Sequence, residues 1–159
     1  MKADRARQIA QELQLARSSQ MRVRFHGQSM HPLLRDGDRV IVEPVGWDDI
    51  RPGDLITYRC EDRFPTRRVV RKRASTLLLW CDNWPHDRFQ ASRAQVLGRA
   101  VARERHGVWL DCRDSEWRVA GRRGLARFRR LHVRRALGRL RAAMRRLLRR
   151  GGDGDGRPR

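Results

Sequence analysis

The chain is short of several things, and each shortage removes a class of function. It has three cysteines, Cys60, Cys81 and Cys112, set far apart. No CxxC or Cys/His pair has metal-ligand spacing, so neither a metal site nor a disulfide scaffold is expected. No run of about 18 apolar residues occurs, which argues against a membrane-crossing helix. The first twenty residues, MKADRARQIAQELQLARSSQ, carry Asp4 and Glu12 and lack an apolar centre. They do not read as a secretory signal. With an odd cysteine count and no such signal, reduced thiols and a cytoplasmic location are expected. Acid is missing altogether from residues 118–150, where 14 arginines fall.

What is present bounds the answer further. The 159 residues allow one domain with appendages. Nearly all the Trp, Val and Ile precede residue 120, so one small core is expected there. The formal net charge of +20 favours anionic partners such as phospholipid head groups or nucleic acid.

Residues 3–17 read as a helix, with Ile9 and Leu13 four apart and Ala6 and Ala10 extending the stripe. From Met21 the period becomes two. MRVRF, RVIVEPV (Arg39–Val45), LITYR (Leu55–Arg59), RRVVRK (Arg67–Lys72), TLLLW (Thr76–Trp80), VLGRAV (Val96–Val101) and GVWLD (Gly107–Asp111) read as strands. The pairs Gly37-Asp38 and Gly53-Asp54 supply turn chemistry before two of them. Short strands at this spacing predict an antiparallel, barrel-like β domain. The stretch CDNWPHDRFQAS (81–92) reads as a loop. After Gly121 the helical period returns, with Leu125, Phe128, Leu131, Leu137, Leu140, Met144 and Leu147 on or near one face. GGDGDGRPR reads as a disordered tail.

One constellation carries chemistry. In HGQSMHPLLRDGDRVIVEPV, Ser29 stands between small and polar residues and a Met-x-Pro turn. Gly27 permits close backbone approach and Pro32 fixes a turn. Together they would present Ser29 at a strand end, where backbone N–H groups can form an oxyanion hole.

These residues carry a family resemblance. Gly27-Gln28-Ser29-Met30-His31-Pro32 is similar to the G-x-S-M-x-P box of signal peptidase I. Gly37-Asp38-Arg39-Val40-Ile41-Val42 resembles that family's Gly-Asp-strand box, and Gly53-Asp54-Leu55-Ile56 its second Gly-Asp box. Arg68-Val69-Val70 matches the R-V-(V/I) segment, Cys81-Asp82-Asn83 resembles the G-D-N box with Cys for Gly, and Val96-Leu97-Gly98-Arg99-Ala100 resembles the closing V-x-G-R-(A/V) strand. Six boxes in order make the resemblance specific, over about half the chain.

The resemblance implies a signal-peptidase/LexA-like β fold, no cofactor, and a peptide or protein substrate. It puts Ser29 at the nucleophile position. The base, a lysine or in some members a histidine, belongs immediately before R-V-V, and there this chain has Arg67. A guanidinium, with a pKa above about 12, cannot act as a general base. Two readings stay open: a serine endopeptidase using His31, His26 or His86 as base, or a degenerate peptidase that binds peptide without cutting. Asp82, Asn83 and Arg68 would support the site, with Asp82 free to pair with Arg67.

The segment GLARFRRLHVRRALGRLRAAMRRLLRR is the second informative feature. Leucines on one face and arginines elsewhere suit an anionic membrane surface, giving a route to the inner face of the membrane. Nucleic acid fits less well, because base-stacking aromatics are missing, and a nucleic-acid-associated regulator is the third functional alternative. The expected organisation is a helix over 1–20, a signal-peptidase-like β domain over 21–112, a basic amphipathic helical segment over 113–150 and a tail over 151–159.

Overall fold

Glycine-aspartate turns and alternating apolar residues divide the front of the chain into strands, and every described strand pair is antiparallel. The computed structural model describes residues 20–84 and 87–151, with side chains through Arg145. Eight strands are seen: β1 (Met21–Arg24), β2 (Arg39–Glu43), β3 (Leu55–Tyr58), β4 (Thr66–Lys72), β5 (Thr76–Trp80), β6 (Arg88–Ser92), β7 (Val96–Arg105) and β8 (Val108–Asp111). A long helix, α1 (Ser115–Gly151), follows. The expected helix over 3–17 and the residues 152–159 lie outside the described residues.

The sheet runs β1-β2-β7-β3-β4-β5-β6, with β8 also paired to β7. Among the described residues this path is open, ending at β1 and β6. β7 is the hub, because its ten residues pair with β2, β3 and β8. Neighbouring positions serve two cores. Leu55 joins Met21, Phe25, Met30, Leu34 and Trp117 in one cluster, whereas Ile56 joins Tyr58, Val69, Leu77 and Leu79 in another. The single small core expected from composition is therefore two clusters, served by opposite faces of the strands.

One strand differs from expectation. Arg88–Ser92, read as part of a loop, is β6 and pairs with β5 from Thr76↔Ser92 to Trp80↔Arg88. Its alternation is short: Ala91 is buried and Phe89 partly so, between polar residues. Backbone hydrogen bonding to β5 holds it more than its own burial does. β2 stops at Glu43, one residue before Pro44, which has no N–H to offer a ladder.

The two Gly-Asp turns are built alike. The Asp38 Oδ2 atom accepts from the Arg35 N–H at 2.8 Å, and the Asp54 Oδ2 from the Arg51 N–H at 2.8 Å. Each is then tied to an arginine of β7. Arg105 donates to Asp38 through Nε at 2.8 Å and Nη2 at 2.7 Å, and Arg99 Nη1 lies 3.5 Å from Asp54 Oδ2. The motifs separated in sequence are thus joined through one strand.

The first compact unit extends through Leu125, so it includes the opening turns of α1. There Trp117 enters the first core cluster. Gly124 allows a close approach: a Cβ at this position would lie 2.6 Å from Arg68 Nε and 2.9 Å from Asp82 Oδ1. The remainder of α1 belongs to a second unit beginning at Ala126. Among the described residues no helix is long and apolar enough to cross a membrane.

Candidate functional site

Ser29 lies on the loop between β1 and β2. Its neighbours fix it. Met30, Leu33 and Leu34 are buried in the first core cluster, and the Leu34 N–H donates to the Met30 carbonyl at 3.0 Å. Gly27 adopts φ +87°, a left-handed conformation that suits glycine, while the space around its Cβ position is open. The glycine therefore serves the turn, not the close backbone approach expected from sequence. The Gly27 N–H donates to Asp36 Oδ1 at 2.7 Å, closing the loop on itself. The His31–Pro32 peptide is cis.

The Cys81-Asp82-Asn83 segment meets this loop. The Asn83 N–H donates to the Ser29 carbonyl at 3.0 Å. Ser29 is only 3% exposed, so its hydroxyl sees protein more than bulk water. The neighbour it sees is Arg67. Arg67 Nη1 donates to Ser29 Oγ at 2.8 Å, and also to the Thr66 carbonyl at 2.9 Å. The guanidinium lies over the Phe89 ring, 5.1 Å from its centroid. The Thr57 and Thr66 hydroxyls join β3 to β4 across 2.8 Å.

Asp82 does not pair with Arg67 as expected. It is bound by Arg68, whose Nε donates to Oδ1 at 2.8 Å and whose Nη2 donates to Oδ2. Arg68 Nη1 also donates to the Gly53 carbonyl at 2.8 Å. The reason is strand geometry. Successive side chains point to opposite faces, and Arg68 stands opposite Trp80 in the β4–β5 register. Asp82, two residues beyond Trp80, comes to the face of Arg68. Among the described residues no carboxylate lies within ion-pair distance of Arg67, and its Nε is buried without a hydrogen-bond partner.

Of the other candidate bases, the two that are described do not engage Ser29. His26 is exposed, with Nδ1 3.8 Å from Asp36 Oδ1. His31 is exposed too, and neither histidine shares a hydrogen bond with Ser29, whose Oγ partner is Arg67. His86 lies outside the described residues. The chain has two lysines, Lys2 and Lys72. Lys2 lies outside the described residues, and Lys72 donates to the Trp47 carbonyl at 2.6 Å over the Trp47 ring. Two more groups near Arg67 stay protonated. Burial pushes the Tyr58 hydroxyl up to about 12 and pushes the Cys81 thiol up, each against the opposing pull of Arg67. Neither becomes a nucleophile or base near neutral pH.

A groove of about 540 Å³ opens beside Arg67; Ser29 is buried and is not among its lining residues. Val23, Phe25, Phe64, Pro65, Thr66 and Arg67 are among its walls. One side is the end of β1, the terminal strand of the sheet path, and the other is the chain entering β4. Phe89, whose ring lies beside Arg67, was missed from sequence because it fell in the stretch read as loop. Its only signal was the Phe89/Ala91 alternation.

A family model described as Peptidase S24-like matches residues 2–101. No curated protein matches the chain.

Proposed function

We propose that this chain, which belongs to the Peptidase S24-like family, is a catalytically degenerate member that binds peptide in the groove beside Arg67 without cleaving it. The observation that carries the reading is the 2.8 Å hydrogen bond from Arg67 Nη1 to Ser29 Oγ. In a serine peptidase the neighbour of the hydroxyl must take its proton. A guanidinium in that place already holds its protons and can only donate. The bond therefore runs backwards for catalysis: it engages an oxygen lone pair and offers no acceptor for the hydroxyl hydrogen.

The groove supports binding. Among the described residues β1 ends the sheet, so an extended peptide can add to it through main-chain hydrogen bonds while its side chains meet Phe25, Phe64 and Pro65.

The test is a cleavage assay with a library of signal-peptide-type substrates read by mass spectrometry. Wild type, Ser29→Ala, His86→Ala, Arg67→Lys and Arg67→His are compared. No cleavage by wild type is expected. Turnover by wild type that Ser29→Ala abolishes would overturn the reading and restore the serine endopeptidase. Loss of that turnover in His86→Ala would name its base.

A further inference from the structure

Resting on the peptide-binding reading, we infer that Ser29 and Arg67 form a receptor for the terminal carboxylate of a bound peptide. Three observations converge. First, Ser29 Oγ accepts from Arg67, which leaves its own O–H free to donate to a ligand oxygen. Second, the Arg67 charge has no carboxylate partner among the described residues, because Asp82 is taken by Arg68. The nearby Tyr58 and Cys81 stay neutral and do not offset it. Third, the guanidinium is held in place by the Thr66 carbonyl and by Phe89, so little freedom is left to lose on binding. A half-buried cation without a carboxylate partner among the described residues and an adjacent hydroxyl donor match a carboxylate in charge and in hydrogen-bond count.

The groove agrees in sign. Arg24, Arg63 and Arg67 line it against one aspartate, Asp62. A strand added along β1 in this groove would bring its own backbone past Arg67, the groove wall that donates to Ser29, and a chain that ends there carries its carboxylate on that backbone.

The experiment uses a mixed-sequence decapeptide library made in two forms, with a free C-terminal carboxylate and as the C-terminal carboxamide. Full-length wild type, Arg67→Gln, Arg67→Lys and Ser29→Ala are immobilised, each checked for folding by thermal melting, and captured peptides are quantified by mass spectrometry. Wild type is expected to retain the acid form about tenfold or more over the amide, the size of a charge-assisted hydrogen bond. Arg67→Gln should lose the preference and Arg67→Lys keep part of it. Equal capture of acid and amide by wild type overturns the carboxylate receptor while leaving peptide binding intact. Capture of neither form removes both.

A different region carries a second inference independently. Within residues 126–145, the helical repeat of 3.6 puts Phe128, Leu131 and His132 on one side of α1 and Val133, Leu137, Leu140 and Met144 on nearly the opposite side. Phe128 and His132 meet edge to face at 4.7 Å. The single apolar face expected from sequence is thus two. The second stripe is uncovered, its four residues being 47–62% exposed. Arg134, Arg135, Arg139, Arg141 and Arg145 occupy the rest of the circumference, and no acid lies between residues 118 and 150.

We propose that this stripe lies in the interface of an anionic lipid bilayer. Charge complementarity selects the occupant. A second copy of the helix would bring its own arginines against these. Nucleic acid would match the arginines and leave the Val-Leu-Leu-Met stripe in water. A bilayer of anionic lipid takes both, the stripe among acyl chains and the arginines at phosphates.

The full chain is sedimented with vesicles of phosphatidylglycerol and phosphatidylcholine and with vesicles of phosphatidylcholine alone, at low and high salt. Pelleting with the anionic vesicles that falls with salt, and falls about tenfold or more in Leu137→Asp/Leu140→Asp, is expected from the per-residue cost of placing charge in the apolar region. Equal pelleting of that variant, no pelleting with anionic vesicles, or a salt-stable dimer in size-exclusion chromatography overturns it.

Discussion

Arg67 and Arg68 are neighbours on β4, yet the two faces of that strand treat them oppositely. Arg68 is fully buried and fully engaged, by both oxygens of Asp82 and by the Gly53 carbonyl, with Gly124 of α1 packed against it. Arg67 is half-buried, binds a serine hydroxyl and a carbonyl, and meets no carboxylate among the described residues. One cation is sealed into the fold and the other is left with charge to offer. The face with the neutralised arginine serves stability, and the face whose arginine has no carboxylate partner among the described residues is the one proposed to take a ligand.

Removing each arginine should sharpen that contrast most. Arg68→Ala strands Asp82 as a buried unpaired charge and should cost about 3–5 kcal/mol, enough to threaten folding. Arg67→Ala loses a partly exposed stacking contact and should cost about 0.5–1 kcal/mol. Paired denaturant melts check the difference, and equal losses would erase the distinction.

Gly124→Ala probes the sealed side from the helix. Its methyl would press on Arg68 Nε and Asp82 Oδ1 at 2.6 and 2.9 Å. Overpacking of this kind costs about 1–3 kcal/mol. Gly138→Ala on the same helix meets open space and should be neutral or stabilising.

A loss of similar size is expected from Thr66→Val. It leaves the buried Thr57 hydroxyl without its 2.8 Å partner, at a cost of about 1–3 kcal/mol. The effect should fall on stability, with the carboxylate preference of the groove retained.

The smallest effect is a pH dependence away from β4. Burial alone would raise the Asp38 carboxyl, but hydrogen bonds from Arg105 and the Arg35 N–H, with the charges of Arg105 and Arg103, hold it below its ordinary 3.8. A carboxyl lowered in the folded state stabilises fully above its unfolded value and loses that contribution as pH falls through the folded one. Thermal melts between about pH 5 and pH 2 should therefore decline more steeply in wild type than in Asp38→Asn.

Much of this was legible beforehand. The Gly-Asp pairs located two strands because the turn they make is local: each aspartate binds a backbone N–H three residues earlier. The identity of residue 67 came from the motif order, and its inability to take a proton came from the chemistry of arginine. The partner of Asp82 was not legible, because it depends on the β4–β5 register, and a shift of one residue exchanges the faces. β6 was missed because its pairing to β5 holds it where its own pattern is weak. The division of the basic helix into two apolar sides is present in the spacing, but pooling all the leucines over many turns hid it.

The most direct test of the central claim is the nucleophilicity of Ser29 itself. A fluorophosphonate probe labels a serine only when a neighbour activates it. With Arg67 donating to Oγ, wild type should label no faster than Ser29→Ala. Rapid labelling of wild type that disappears in Ser29→Ala would contradict the account.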